Sequence, residues 1–118
     1  PDYPIANASL EDQYMWVDRR GNLHALTHKN GAGGVSGHLW SADGGRSWRI
    51  SEVAPYNTSL PLVGGGTHEC GKRARPMLLI EDGVPAYLAT GASYGRGGDH
   101  TFTSMQRIRP DALLQEAP

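Results

Sequence analysis

Cysteine is almost missing from this 118-residue chain: Cys70 stands alone, so no internal disulfide can form and a disulfide-stapled scaffold is excluded. An excess of positive charge is missing as well. Eleven Lys and Arg face twelve Asp and Glu, a formal net charge of -1. With a pI near 6.6, the chain offers no basic surplus for a nucleic-acid backbone or an anionic membrane, and neither is expected as a partner. The longest apolar runs, such as Met77-Leu78-Leu79-Ile80, are far too short for a membrane span. No signal-peptide pattern is seen, and an opening at Pro1 without Met is expected of a processed or trimmed chain. A phosphate-cradling loop is also lacking, because neither Gly31 to Gly34 nor Gly95 to Gly98 joins a strand to a helix with a following Lys.

What the chain does have is turn-forming material and aromatics. Sixteen Gly and eight Pro accompany only 38% apolar residues, yet three Trp and five Tyr supply core-forming groups. A mean hydropathy of -0.48 is that of a soluble chain. Turn-dense composition of this kind predicts an all-β fold, one unit over residues 1–118. Residues 1–10 are a non-periodic lead-in. Strands are predicted over Gln13 to Asp18, Leu23 to His28, Gly37 to Ser41 and Trp48 to Ser51, separated by the turn Arg19 to Asn22, a Gly-rich loop and a polar hairpin. Period two puts His24, Leu26 and His28 on one strand face.

The firmest local signal is Ser41-Ala42-Asp43-Gly44-Gly45-Arg46-Ser47-Trp48, with Trp40 on its other shoulder. Asp43 can close an Asx-type turn onto the N–H groups ahead of it, and the glycines take positive φ cheaply. Four antiparallel strands joined by short turns make one blade, over 11–52, with the hairpin at 41–48. A Pro/Gly-rich connector over 53–73 follows. The pattern then restarts over 74–107, with strands at Ala74 to Ile80, Val84 to Gly91 and His100 to Arg107. Aligning Gly21 with Gly83 superposes Val17 on Leu79 and Leu26 on Leu88, a repeat of 62 residues. The tail 108–118 carries a helical turn after Pro110. The expected architecture is therefore a partial β-propeller of about two antiparallel blades, whose open edges call for further blades or partner chains. A small β-sandwich is the alternative.

The octet fits the Ser-x-Asp-x-Gly-x-x-Trp "Asp-box" at every defined position, and so resembles sialidases and other propellers. The run Glu11 to Leu26 followed by Gly37-His38-Leu39-Trp40-Ser41 is similar to the last blades of five-bladed propellers related to glycoside hydrolase family 43. The resemblance covers about residues 11 to 107. It departs from the family in two places. Gln13 stands where Pro is usual, and Ala74 where the second blade has Glu; Glu69 lies five residues away from the missing carboxylate.

The resemblance implies a secreted, carbohydrate-interacting, glycosidase-like segment, part of a glycoside hydrolase, with Glu11 and Asp12 as catalytic carboxylates on an inner strand. It implies substrate binding by His38, in a Gly-His step, and by Arg73 and Arg75, whose guanidinium groups can hold a carboxylate in bidentate fashion. A non-catalytic structural or interaction module of an extracellular assembly, and a cytosolic β-sandwich, are the competing expectations. Trp16 and Trp40 can stack on a sugar or fill core. His24 and His28 lack further metal-ligand spacing, so neither a metal site nor a cofactor is expected. Cys70 lacks a pattern for nucleophilic catalysis. The sequons at Asn7 and Asn57 are candidate glycosylation sites.

Overall fold

The computed structural model describes residues 11–28, 35–95 and 100–109. All regular structure in it is β, in antiparallel sheets that do not close into a barrel. The first sheet runs β1 (Glu11–Val17), β2 (Leu23–His28), β3 (Ser36–Ser41) and β4 (Arg49–Ile50), with spatial order equal to chain order. A short hairpin, β5 (Ser59–Pro61) and β6 (Thr67–Glu69), comes next. The second large sheet is β7 (Arg73–Glu81), β8 (Val84–Ser93) and β9 (Thr101–Arg107), again in chain order.

Turn chemistry sets these registers. Between β7 and β8, Asp82 and Gly83 have φ of 51° and 77°, the doubly left-handed pair of a two-residue type I′ hairpin, and Glu81 pairs with Val84 across it. Between β1 and β2, the Asp18 carboxylate accepts the Arg20 and Asn22 N–H groups at 2.8 and 3.0 Å, an Asx-type closure. The two hairpin tips are tied to each other: the Arg19 guanidinium donates to the Asp82 carbonyl, at 2.9 Å through Nε.

The Ser41 to Trp48 turn is held by its own side chains. Ser41 Oγ accepts the Gly45 N–H at 2.9 Å and donates to Asp43, whose carboxylate also accepts the Ser47 N–H at 2.8 Å. Gly45 needs its φ of 92°, and a Cβ there would lie 3.4 Å from Leu23 Cδ1. The Trp48 indole N–H returns to the Gly45 carbonyl at 3.0 Å. Bonding from the Ser47 hydroxyl and N–H and from Ser41 drives the Asp43 carboxyl down to about 2.

The two large sheets face each other. Leu26 of β2, Leu88 of β8 and Tyr56 of the connector are buried together, with Trp16, Leu78 and Ile108 packed around them. Burying each such side chain contributes roughly 1.5–3 kcal/mol, so this small cluster helps to join the sheets. The Tyr14 hydroxyl adds a bond to the Leu78 carbonyl at 3.2 Å. β2 is central and covered on both faces, so His24 to His28 are all buried rather than alternating.

Three features differ from the expectation. The connector 53–73 contains the β5–β6 hairpin, whose Leu60 and adjoining Cys70 pack on Ala92 of β8 and on Phe102. The second sheet has the three strands read from the sequence and is one short of a four-stranded blade. Ile108 continues the β9 pairing, its N–H bonding the Ala86 carbonyl at 2.8 Å, before the tail passes out of the described residues. The lead-in 1–10, the loop Gly31 to Gly34, most of the loop Gly95 to Gly98 and the expected helical turn also lie outside them.

The internal repeat appears in the backbone. β1 shifts register between Glu11 and Tyr14, and β7 does so between Ala74 and Met77. The second residue of each bulge, Asp12 or Arg75, is left-handed, with φ of 53° and 54°. Both sheets thus open on the same device, with Glu11 and Ala74 in equivalent positions 63 residues apart, one residue off the 62-residue spacing of Gly21 and Gly83.

Candidate functional site

A cleft of about 1190 Å³ lies between the facing sheets, with the Trp16 end of β1, Tyr56 and Asn57 of the connector, and Arg73 and Gln106 among its walls. Among the described residues five arginines line it, Arg19, Arg20, Arg73, Arg107 and Arg109, against one carboxylate, Asp18.

On the first sheet, strand register stacks three rings. Trp16 pairs with His24 across β1 and β2, and His24 lies diagonal to His38 on β3. Trp16 and His24 are stacked at 4.7 Å, and His24 and His38 at 5.2 Å. A polar chain runs through the stack: Asp18 Oδ2 lies 2.8 Å from His24 Nε2, and His24 Nδ1 lies 3.0 Å from His38 Nε2. With the Asp18 carboxylate ionised, His24 donates to it through Nε2–H, which fixes the His24 ring orientation and makes its Nδ1 the partner of His38. Burial pushes the Asp18 carboxyl up, but the His24 bond and the Asn22 and Arg20 N–H groups outweigh it and hold it below the ordinary value. The chain can pass a proton between Asp18 and His38, and it orders the cleft wall.

On the opposite wall Arg73 is 2% exposed. It donates to Thr90 Oγ1 at 2.9 Å, to the Asn57 carbonyl at 3.0 Å and to Gln106 Oε1, and lies over the Tyr56 ring at 5.1 Å. All of these partners are neutral, and they occupy three of the five N–H groups of a guanidinium. Burial lowers the Arg73 pKa. It also pushes the Tyr56 hydroxyl up to about 12, despite the Arg73 charge, so Tyr56 is a neutral phenol. A buried cation held by dipoles alone is costly unless an anion joins it.

The structure divides the residues singled out in the sequence. His38 and Arg73 line the cleft, whereas Glu11, Asp12 and Arg75 do not. Glu11 and Asp12 are exposed at the far end of β1, and Arg75 is exposed on its bulge. The expected arginine pair is therefore split: Arg73 turns into the core and Arg75 stays in solvent. His24 and His28 are separated too, His24 joining Asp18 and His38, and His28 facing Glu11 and Asp12. Trp40 lies under the Arg49 guanidinium at 5.0 Å, outside the cleft, beside a smaller hollow at the Ser41 to Trp48 turn. Asn57 is exposed, its Oδ1 accepting the Ser59 N–H at 2.8 Å; Asn7 lies outside the described residues. Sequence reasoning missed Asp18, Asn57 and Gln106 as cleft residues. Nothing in their local sequence marked Asn57 in the connector or Gln106 on the largely polar β9.

No family model, curated protein or solved structure matches the chain. Among the described residues, no helix is long and apolar enough to cross a membrane.

Proposed function

We propose that the inter-sheet cleft binds an acidic carbohydrate, a carboxylated or sulfated oligosaccharide, as part of a propeller-like, extracellular, glycosidase-like segment. The observation that carries this reading is Arg73: a guanidinium 2% exposed, in a cleft wall, bonded only to neutral groups, with four further arginines around the same cavity. A carboxylate or sulfate in the cleft offsets the buried charge. Trp16, with the imidazole stack behind it, supplies the flat apolar surface that sugar rings pack on.

The reading is of binding rather than hydrolysis. Glycoside cleavage uses two carboxyl groups roughly 5–9.5 Å apart across the scissile bond. Among the described residues the cleft has one, Asp18, already held by His24. Isothermal titration of the purified chain with acidic and neutral oligosaccharides of equal length tests the proposal. Binding restricted to the acidic series, weakened by salt, is expected; equal affinity for both, or none for either, overturns it.

A second reading, an interaction module, is favoured by one observation. Cross-strand register puts Met77, Ala89 and Met105 in a row on the second sheet, with Leu79 on the same face, and Met77, Leu79 and Met105 are each about half exposed or more. An apolar sheet face of this kind is what another blade covers. Light scattering on the intact chain tests it, a stable folded monomer at high concentration counting against.

A further inference from the structure

We propose that Glu11, Asp12 and His28 form a binding site for a divalent transition-metal cation of the zinc or manganese class, at the mouth of β1 and β2 and outside the cleft. Glu11 pairs directly with His28 across the two strands. Regular alternation would send the next residue, Asp12, to the opposite face. The bulge between Glu11 and Tyr14 and the left-handed Asp12, with φ of 53°, undo that alternation. As a result one ligand atom from each of the three residues lies within 4.8 Å of the others.

The independent sign of a ligand is His28 itself. Its side chain is 8% exposed, and Nδ1 lies 3.3 Å from Glu11 Oε2 and 3.8 Å from Asp12 Oδ2. Yet Nδ1 has no hydrogen-bond partner among the described residues. A buried imidazole nitrogen left without a bond costs about 1–3 kcal/mol. A cation between the three groups gives that nitrogen a bond and neutralises two adjacent carboxylates at once.

The donor set selects the ion. One imidazole and two carboxylates suit Zn²⁺ or Mn²⁺ and leave positions for water, whereas Ca²⁺ takes six to eight oxygens and gains little from nitrogen. Zinc bonds of about 2.0–2.2 Å require the ligand atoms to close to roughly 3.3 Å from one another. Glu11 and Asp12 are on the exposed side, so rotamer changes supply that closure while buried His28 stays fixed.

The test is titration of the chelator-treated chain with ZnCl₂, MnCl₂ and CaCl₂ by calorimetry, beside the Glu11→Gln/Asp12→Asn double variant. Both substitutions keep shape, and both sites are exposed, so folding, checked by circular dichroism, is retained. One ion per chain is expected, Zn²⁺ tighter than Mn²⁺ and Ca²⁺ weakest, with the double variant at least about 100-fold weaker. Shifts of the His28 ring resonances on adding Zn²⁺ give a second readout that needs no variant. The proposal is overturned by no binding at millimolar metal. It is equally overturned by undiminished binding in the double variant, or by a His28 ring whose resonances ignore metal, which would mark a plain imidazolium–carboxylate pair.

Discussion

Replacing Arg73 with Met separates the binding role of this residue from its part in the fold. Three acceptors lose their donor in the variant: Thr90 Oγ1, the Asn57 carbonyl and Gln106 Oε1. At about 1.5–3 kcal/mol for each bond to a charged donor, the loss is roughly 4–9 kcal/mol. Against it stands relief from desolvating a cation that has no carboxylate bonded to it among the described residues, worth several kcal/mol for a buried ion. The two effects are opposite and each is several kcal/mol, so unfolding free energy is expected to fall by much less than the lost bonds alone would take. Ligand binding has no such offset. Losing one partner of a buried charged pair costs about 2–5 kcal/mol, equivalent to a roughly 30- to 4000-fold rise in Kd for an acidic oligosaccharide. Arg73→Lys keeps the charge without the planar fork and is expected to fall between the two. Calorimetric titration gives the affinity, and urea unfolding followed by circular dichroism gives the stability. An Arg73→Met chain that folds and still binds the acidic sugar as tightly as the parent refutes the assignment of Arg73 as the anion contact.

Other outcomes follow from the packing and from the shifted groups. Leu88→Ala empties part of the joint shared with Leu26 and Tyr56 and is expected to cost about 2–5 kcal/mol in urea unfolding; a loss too small to measure would mean that the sheets do not share a core. Asp43 titrates at about 2 in the folded chain against 3.8 ordinarily. Because the folded value is the lower one, its stabilising effect is complete above the ordinary value and is lost as pH falls through the folded one. Carboxyl NMR titration checks the value, and Asp43→Asn should remove that pH dependence; a normal Asp43 titration would show that the turn bonds do not form. Burial raises the Cys70 thiol, with Arg73 opposing and Glu69 adding to the shift. A disulfide reagent at neutral pH should therefore modify the native chain slowly and the urea-unfolded chain at once. Rapid native modification would contradict the packing of Cys70 against Leu60 and Ala92.

Local rules made much of the fold readable. Asp82-Gly83 and the Ser41 to Trp48 octet carry their own hydrogen-bonding logic, so the strands they join fall within a residue or two of where turn chemistry puts them. β2 was readable to the residue, being bounded by Gly21-Asn22 and by a Gly-rich loop. The β5–β6 hairpin was not, because Ser59-Leu60-Pro61 and Thr67-His68-Glu69 are short and polar and have no amphipathic period. Their strand character comes from docking Leu60 and Cys70 on the second sheet. The bulges at Asp12 and Arg75 were equally silent, since nothing in their local sequence demands positive φ.

The site was less readable than the fold, for the same reason. Sequence alone determined an all-β chain with one thiol, its turns, and a short list of polar residues at strand entrances. Tertiary structure decided how that list divides: His38 and Arg73 into an arginine-lined cleft with Asp18 and Trp16, Glu11 and Asp12 toward buried His28, and Arg75 into solvent. Turns are specified by neighbouring residues, whose preferences are written locally. A cleft or a cluster forms between strands distant in sequence, and its residues are chosen by register, by a bulge that turns one side chain over, and by which sheet face becomes buried. Those depend on long-range packing, where a buried arginine and an exposed one, Arg73 and Arg75, are two residues apart.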